Sequence, residues 1–294
     1  MGKPIKGLLV ASPDLLSAKR VLGDRHLRPA TCAAHRAWHA QMRVSELAQH
    51  SGNQLHAVGV GRKVVDGKPT DVACVRLYVA RKLPGHLLAA ADALPAFIDG
   101  IPTDVVEAAP AFFAAPSPCS MRKLKQQRPA QGGISGANED IQAGTLGARC
   151  RSTRAGEGTD QFVLGNCHTL ADFGRAAMGS AIMQPSAVDG GLGAARLAGL
   201  HRFVPILELA GADNEVDAAI AKLDVVDSMG AGICTVGTIR GVAAASMGLR
   251  VHKHGRTTGY TAGVIDDPSI DVLIPLRRDE PTQITRFVDQ IRIR

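Results

Sequence analysis

The sequence predicts a mainly β protein, and three observations carry that prediction. From Ile134 onward, short β-rich runs alternate with turn signals every ~8–12 residues, the spacing of a sandwich or barrel. The 32 glycines and 16 prolines punctuate these runs and are not gathered into one low-complexity tract. Aromatic residues make up only 3% of the chain, so its core must rest on Ala, Val, Leu and Ile. The 294 residues suffice for one large domain or two modest ones and for a sizeable core.

Two other units precede the β-rich part. Residues 1–53 read as a helical N-terminal segment. "SPDLLSAKRVL" (12–22) offers a serine cap and a proline in the first turn. "TCAAHRAWHAQMRVSELAQHSG" (31–52) is rich in helix formers and stops at Gly52. Residues 54–109 read as a small α+β module: two strands around the turn "DGKP", a short helix and a closing strand. Residues 110–133 collect proline, glycine and charge, as a linker does. Residues 134–294 form the β-rich domain.

The net charge of +7 raises the question of nucleic acid. The strongest basic run, "MRKLKQQR" (121–128), has no interleaved aromatics on which bases could stack, and reads as a solvated linker. The six cysteines, Cys32, Cys74, Cys119, Cys150, Cys167 and Cys234, contain no C-x-x-C pair, which argues against a disulfide framework and a structural zinc site. The N-terminal patch "GLLVA" is too short for a signal sequence and runs into Pro13 and Asp14. Lys6 breaks the myristoylation pattern, and no apolar run approaches the ~20 residues of a membrane span. The expectation is a cytoplasmic chain with reduced thiols, no cofactor and no membrane or specific nucleic-acid partner.

The chemistry centres on "FVLGNCHTLAD" (162–172). A serine peptidase needs a nucleophilic hydroxyl, an imidazole to take its proton and a carboxylate to orient the imidazole. His168 follows an apolar strand and can present its ring at a barrel rim. Asp217, in "NEVDAAIAKLDV" (214–225), precedes another apolar strand. By spacing alone, a structural histidine and a turn aspartate fit these positions too.

Five stretches, in this order, carry a resemblance: "GTLGA" (144–148), "FVLGNCHTLAD", "QPSAVDGG" (184–191), "NEVDAAIA" (214–221) and "KHGRTTG" (253–259). Together they resemble bacterial trypsin-like serine peptidases of the chymotrypsin clan, distantly like the high-temperature-requirement proteases, over about residues 54–294. No single stretch is specific; the ordered set is. The resemblance implies a trypsin-like antiparallel β-barrel and hydrolysis of polypeptides by a Ser-His-Asp mechanism. His168 would be the general base and Asp217 its orienting acid. "GNCH" departs from the commoner Asn-Asn-His. Cys150, in the preceding strand, could lie near Cys167; a disulfide ties a similar strand in secreted relatives, whereas two reduced thiols are expected here.

The nucleophile is the awkward part. Its Gly-Asp/Asn-Ser-Gly turn lets successive N–H groups point at an oxyanion. Ser228, Ser246 and Ser269 follow Asp217, but none sits in such a turn. Ser135, in "GISG" (133–136), precedes His168 and matches a linker of the relatives. Cys234 reads as core, and Thr257 and Thr258 as part of a structural turn with Arg256. In the relatives a strand like "ITRFVDQIRIR" (284–294) comes just before the serine turn. The second barrel is therefore expected to be incomplete, and the chain as given to have little activity. The alternative is an inactive pseudo-peptidase that binds a peptide or protein, since an incomplete barrel leaves open strand edges.

Among the remaining histidines, His252 and His254 share a strand face but lack a carboxylate at ligand spacing. The early ones, His26, His35, His39, His50 and His56, read as part of the helical region; His35 and His39 match half of a zincin motif without its glutamate.

Overall fold

The computed structural model describes residues 11–27, 55–80, 82, 88, 93–108, 125–208, 212–275 and 284–294. The second N-terminal helix, most of the short helix expected after residue 85, His35, His39, His50, Cys32 and Cys119 lie outside the described residues. Among those described, no helix is long and apolar enough to cross a membrane.

Helix α1 (Pro13–His26) begins as its sequence suggests: the Ser12 side chain accepts the Leu15 N–H at 3.3 Å, and Pro13 opens the first turn. Asp14 at its start and Arg25 at its end complement the helix dipole. Strands β1 (Leu55–Val65) and β2 (Lys68–Val79) form the expected hairpin. Its two-residue turn has Asp66 at φ 49° and Gly67 at φ 74°, the left-handed pair that a tight hairpin turn requires. His56, read from sequence with the helical histidines, belongs to β1, where its Nε2 meets the Ala108 carbonyl at 2.9 Å.

The alternating "VGVG" of β1 is a spacing device. Val58 and Val60 face α1, in a core with Leu15, Ala18, Leu22, Val75, Leu77 and Leu273. Gly59 and Gly61 face the other way, because successive strand residues alternate sides. A Cβ at Gly59 would lie 1.9 Å from Asp267 Oδ2, and one at Gly61 2.3 Å from Arg76 Nε. The missing side chains make room for two buried charged groups.

The hairpin continues into a large sheet. Strand β3 (Phe97–Ile98) pairs with β4 (Ile101–Glu107), and β4 runs parallel to β2. On the other edge, β16 (Gly259–Pro275) lies antiparallel to β1, with Ala57 opposite Val272. β17 (Ile284–Ile293) follows on β16, and β11 (Asp213–Asn214) adds on parallel to β17. β15 (Arg250–Gly255) pairs with the first part of β16, completing an eight-stranded sheet. The strands expected to form a separate module thus share one sheet with the C-terminal strands of the expected peptidase domain. The expected linker does not divide the sheets either: β5 (Ala130–Gly132) pairs parallel with β13 (Met229–Ile233), beside β14 (Gly237–Thr238).

Charge also ties α1 to this sheet. Lys19 is buried and donates to Asp271 Oδ1 at 2.7 Å, Asp289 Oδ1 at 2.6 Å and the Ser269 hydroxyl at 3.0 Å. Arg286 joins Asp271 to Asp24 of the helix. A buried ammonium needs such partners to offset its lost hydration.

The remaining sheet is antiparallel throughout. Its order is β6 (Ala137–Asn138), β9 (Ala181–Met183), β10 (Arg196–Phe203), β12 (Ala219–Leu223), β8 (Gln161–Gly165) and β7 (Ala148–Arg151). Its core residues Leu146, Val163, Leu170, Ile182, Leu200 and Ala221 belong to one cluster with Ala57, Tyr78, Val272 and Phe287 of the large sheet. The chain is therefore mainly β, as predicted.

Candidate active site

The pairing of β8 with β12 builds the site. Gly165 stands opposite Ala219. Two residues beyond each strand, the chain reaches Cys167 on one side and Asp217 on the other. Directly after β8, Asn166 opens the short helix α2 (Cys167–Leu170), which turns His168 toward Asp217.

The two side chains meet. Asp217 Oδ2 lies 2.5 Å from His168 Nδ1, and Asp217 Oδ1 accepts the His168 backbone N–H at 3.1 Å. Asn166 Nδ2 donates to Asp217 Oδ2 and to the Asp217 carbonyl, both at 3.2 Å. The carboxylate thus fixes both the ring and the backbone that carries it. Burial pushes the Asp217 carboxyl up, but hydrogen bonds from the His168 ring and from the backbone N–H groups of His168 and Cys167 outweigh it and hold the group below its ordinary range. An ionised carboxylate only accepts, so in the neutral ring Nδ1 carries the proton and Nε2 keeps its lone pair. The Asp217 side chain is 13% exposed and that of His168 30%, so the orienting group is shielded and the ring is more open.

Close packing holds this turn. A Cβ at Gly144 would lie 2.2 Å from Thr169 Cγ2, and one at Gly147 2.3 Å from the Leu164 carbonyl oxygen. The two glycines of "GTLG" therefore let residues 144–147 lie against the histidine turn. Asn138 Nδ2 holds the far end of α2 through the Leu170 carbonyl at 3.0 Å. Phe173 places its ring 5.8 Å from that of His168, at a left-handed φ of 59° that is strained for an aromatic residue. The sequence reading missed both Asn166 and Phe173. Asn166 left a trace as the residue two before the histidine; nothing in the local pattern marks Phe173.

The other resemblance stretches also meet. Asp189, from "QPSAVDGG", accepts from Arg256, of "KHGRTTG", through both carboxylate oxygens: Nε at 2.7 Å and Nη2 at 2.6 Å. Both side chains are nearly sealed from solvent, at 6% exposed for Arg256 and 4% for Asp189. Ser135 donates to Asp189 at 2.5 Å, and Ser186 to it at 3.2 Å. The Arg256 backbone N–H donates to the Thr145 hydroxyl at 3.0 Å, next to Gly144, which abuts the histidine turn. Ser135 is thus fully buried in a structural role. Ser269 is likewise engaged, between Lys19 and Asp289.

Cys150 and Cys167 are free thiols, the first half-buried and the second buried. Burial, reinforced by the charge of Asp217, pushes the Cys167 thiol up to about 12, which makes it a poor nucleophile. Cys234 is also free and half-buried. His252 lies at the surface against the Tyr260 ring, whereas His254 is buried with Nδ1 at 2.8 Å from the Thr235 hydroxyl.

No family model matches the sequence, and no curated protein matches it at a significant level. Among solved structures, the chain is similar to Protease A of Thermobifida fusca, at 15% identity and a TM-score of 0.36, over 56% of this chain and 70% of that one.

Proposed function

We propose that this chain carries the acid–base pair of a trypsin-like serine endopeptidase acting on polypeptides, with His168 as general base and Asp217 as its orienting acid. The observation that carries the reading is the double hold of Asp217 on His168, at the ring Nδ1 and at the backbone N–H. That arrangement leaves Nε2 in the state that takes a proton from a hydroxyl. A purely structural histidine needs neither the chosen tautomer nor a shielded carboxylate behind it. Among the serines considered as nucleophile, Ser135 and Ser269 have structural roles, so the reading assigns a base and an orienter and leaves the nucleophile unassigned.

The test is peptide hydrolysis by the protein as its gene encodes it. His168→Ala should lose nearly all of the activity, by ~10⁶-fold, and a serine-directed covalent inhibitor should abolish it. Activity that survives His168→Ala contradicts the reading.

One observation favours a second reading, a peptide-binding pseudo-peptidase. Among the described residues, β11 covers the outer edge of β17 only at Arg286 and Phe287, and Ile291 and Ile293 beyond it are 50% and 55% exposed. No hydrolysis by the encoded protein, together with retention of extended peptides, would select this reading.

A further inference from the structure

We propose that the Arg240–Gly241 peptide bond is a processing site, cut by an endopeptidase that selects a basic residue, and that the two products remain one folded particle. The site lies in the connection between β14 and β15. β14 ends with Thr238 paired to Gly232, and ordered bonding resumes where the Gly248 N–H meets the Ile265 carbonyl at 2.8 Å. Between them, residues 239–245 make no backbone hydrogen bond to any described residue. Residues 239–244 are all exposed; Ile239 is at 51%, and Val242 at 104% is as open as in a free peptide. Arg240 stands within this run, exposed and without an ion pair to a described residue.

An endopeptidase binds its substrate as an extended strand, through backbone groups on both sides of the scissile bond. Most exposed loops must first unfold locally to offer those groups. Arg154 is such a case: its N–H donates to the Ser152 hydroxyl at 3.1 Å and its carbonyl accepts the Glu157 N–H at 3.3 Å. The 239–245 run has no such bonds to break. Cleavage adds water: its oxygen bonds to the Arg240 carbonyl carbon, the C–N bond breaks, and Arg240 is left as a carboxylate and Gly241 as an ammonium.

The products should not separate. Residues 241–294 contain β15, β16 and β17. β16 pairs with β1, β17 with β11, Lys19 with Asp271 and Asp189 with Arg256. His168 and Asp217 stay together on the 1–240 piece, and the Arg256 latch becomes a contact between two chains.

The test is brief digestion of the folded full chain with trypsin, read by mass spectrometry, N-terminal sequencing and size-exclusion chromatography. Whatever cuts occur elsewhere, a new N-terminus Gly-Val-Ala at residue 241 should form about tenfold faster than one at Ala155. The 241–294 piece should co-elute with the 1–240 portion and leave it only in denaturant. Arg240→Gln should remove this cut without changing elution or far-ultraviolet circular dichroism. Cleavage after Arg154 ahead of Arg240, or a 241–294 piece eluting alone, would overturn the proposal.

Discussion

Replacing Arg256 by methionine is expected to cost about 3–5 kcal/mol of folding free energy, among the largest effects of any single change in this chain. The reason lies on the other side of the pair. Asp189 is 4% exposed and is held through both oxygens by Arg256, with Ser135 and Ser186 completing its shell. Burial pushes its carboxyl up, yet the hydrogen bonds from Arg256 and Ser135 hold it below the ordinary range. Without the guanidinium, a sealed carboxylate must either keep an uncompensated charge or take up a proton. Removing both members should hurt less: Arg256→Met with Asp189→Leu is expected to recover about 2 kcal/mol relative to Arg256→Met alone. Urea unfolding of the two single variants and the double variant measures this. A double variant at least as unstable as the sum of the singles would show that the pair is not coupled. Because the carboxyl is depressed in the folded state, its contribution is present above the ordinary carboxylate pKa and is lost as pH falls through the lower folded value.

Asp267 should show the opposite sign. Its carboxylate is fully buried in the room left by Gly59 and accepts the Val60 N–H at 2.9 Å, the Ser269 N–H at 3.2 Å and the Tyr78 hydroxyl at 2.8 Å. Burial dominates these bonds and the nearby Arg76, and raises the group to about 6. In the unfolded chain it titrates near ~3.9. Between those values the folded state binds more protons than the unfolded state, so stability falls as pH rises through the window, by about 3 kcal/mol in all. Asp267→Asn removes this dependence while filling the same space. Its amide must face Tyr78 as a donor, which adds an offset that does not change with pH. The stability of Asp267→Asn relative to the parent protein should therefore rise by about 2 kcal/mol from pH 4 to pH 7. Parallel pH profiles for the two proteins would contradict this account of Asp267.

The same residues show how far the sequence could be read. The "DGKP" turn was legible because left-handed φ values demand Asp and Gly, a local requirement. "VGVG" was legible as a strand, but the purpose of its glycines was not. They serve Asp267 and Arg76, and Val60 and Asp267 lie 207 residues apart. For the same reason the sequence divided the chain at residues 110–133. A strand's composition says that it will pair and leaves its partner open, so the union of β1 with β16 left no local mark. His168 and Asp217 were found through a resemblance, and spacing alone left them undecided. The physical link between them is the antiparallel register of β8 and β12, which becomes visible only once the two strands are paired. "QPSAVDGG" and "KHGRTTG" were legible as motifs; their shared meaning, one buried ion pair, needed the fold.

On the proposed reading, Asp217 holds the His168 ring as a base. Nitrogen-15 chemical shifts of the histidine rings in uniformly labelled protein at neutral pH test it most directly, with His168→Gln identifying the signal. His168 should be protonated at Nδ1 and unprotonated at Nε2, with a strongly deshielded Nδ1 proton, and Asp217→Asn should reverse the tautomer. A His168 ring protonated at Nε2 in the unaltered protein, or a tautomer indifferent to Asp217→Asn, would contradict it.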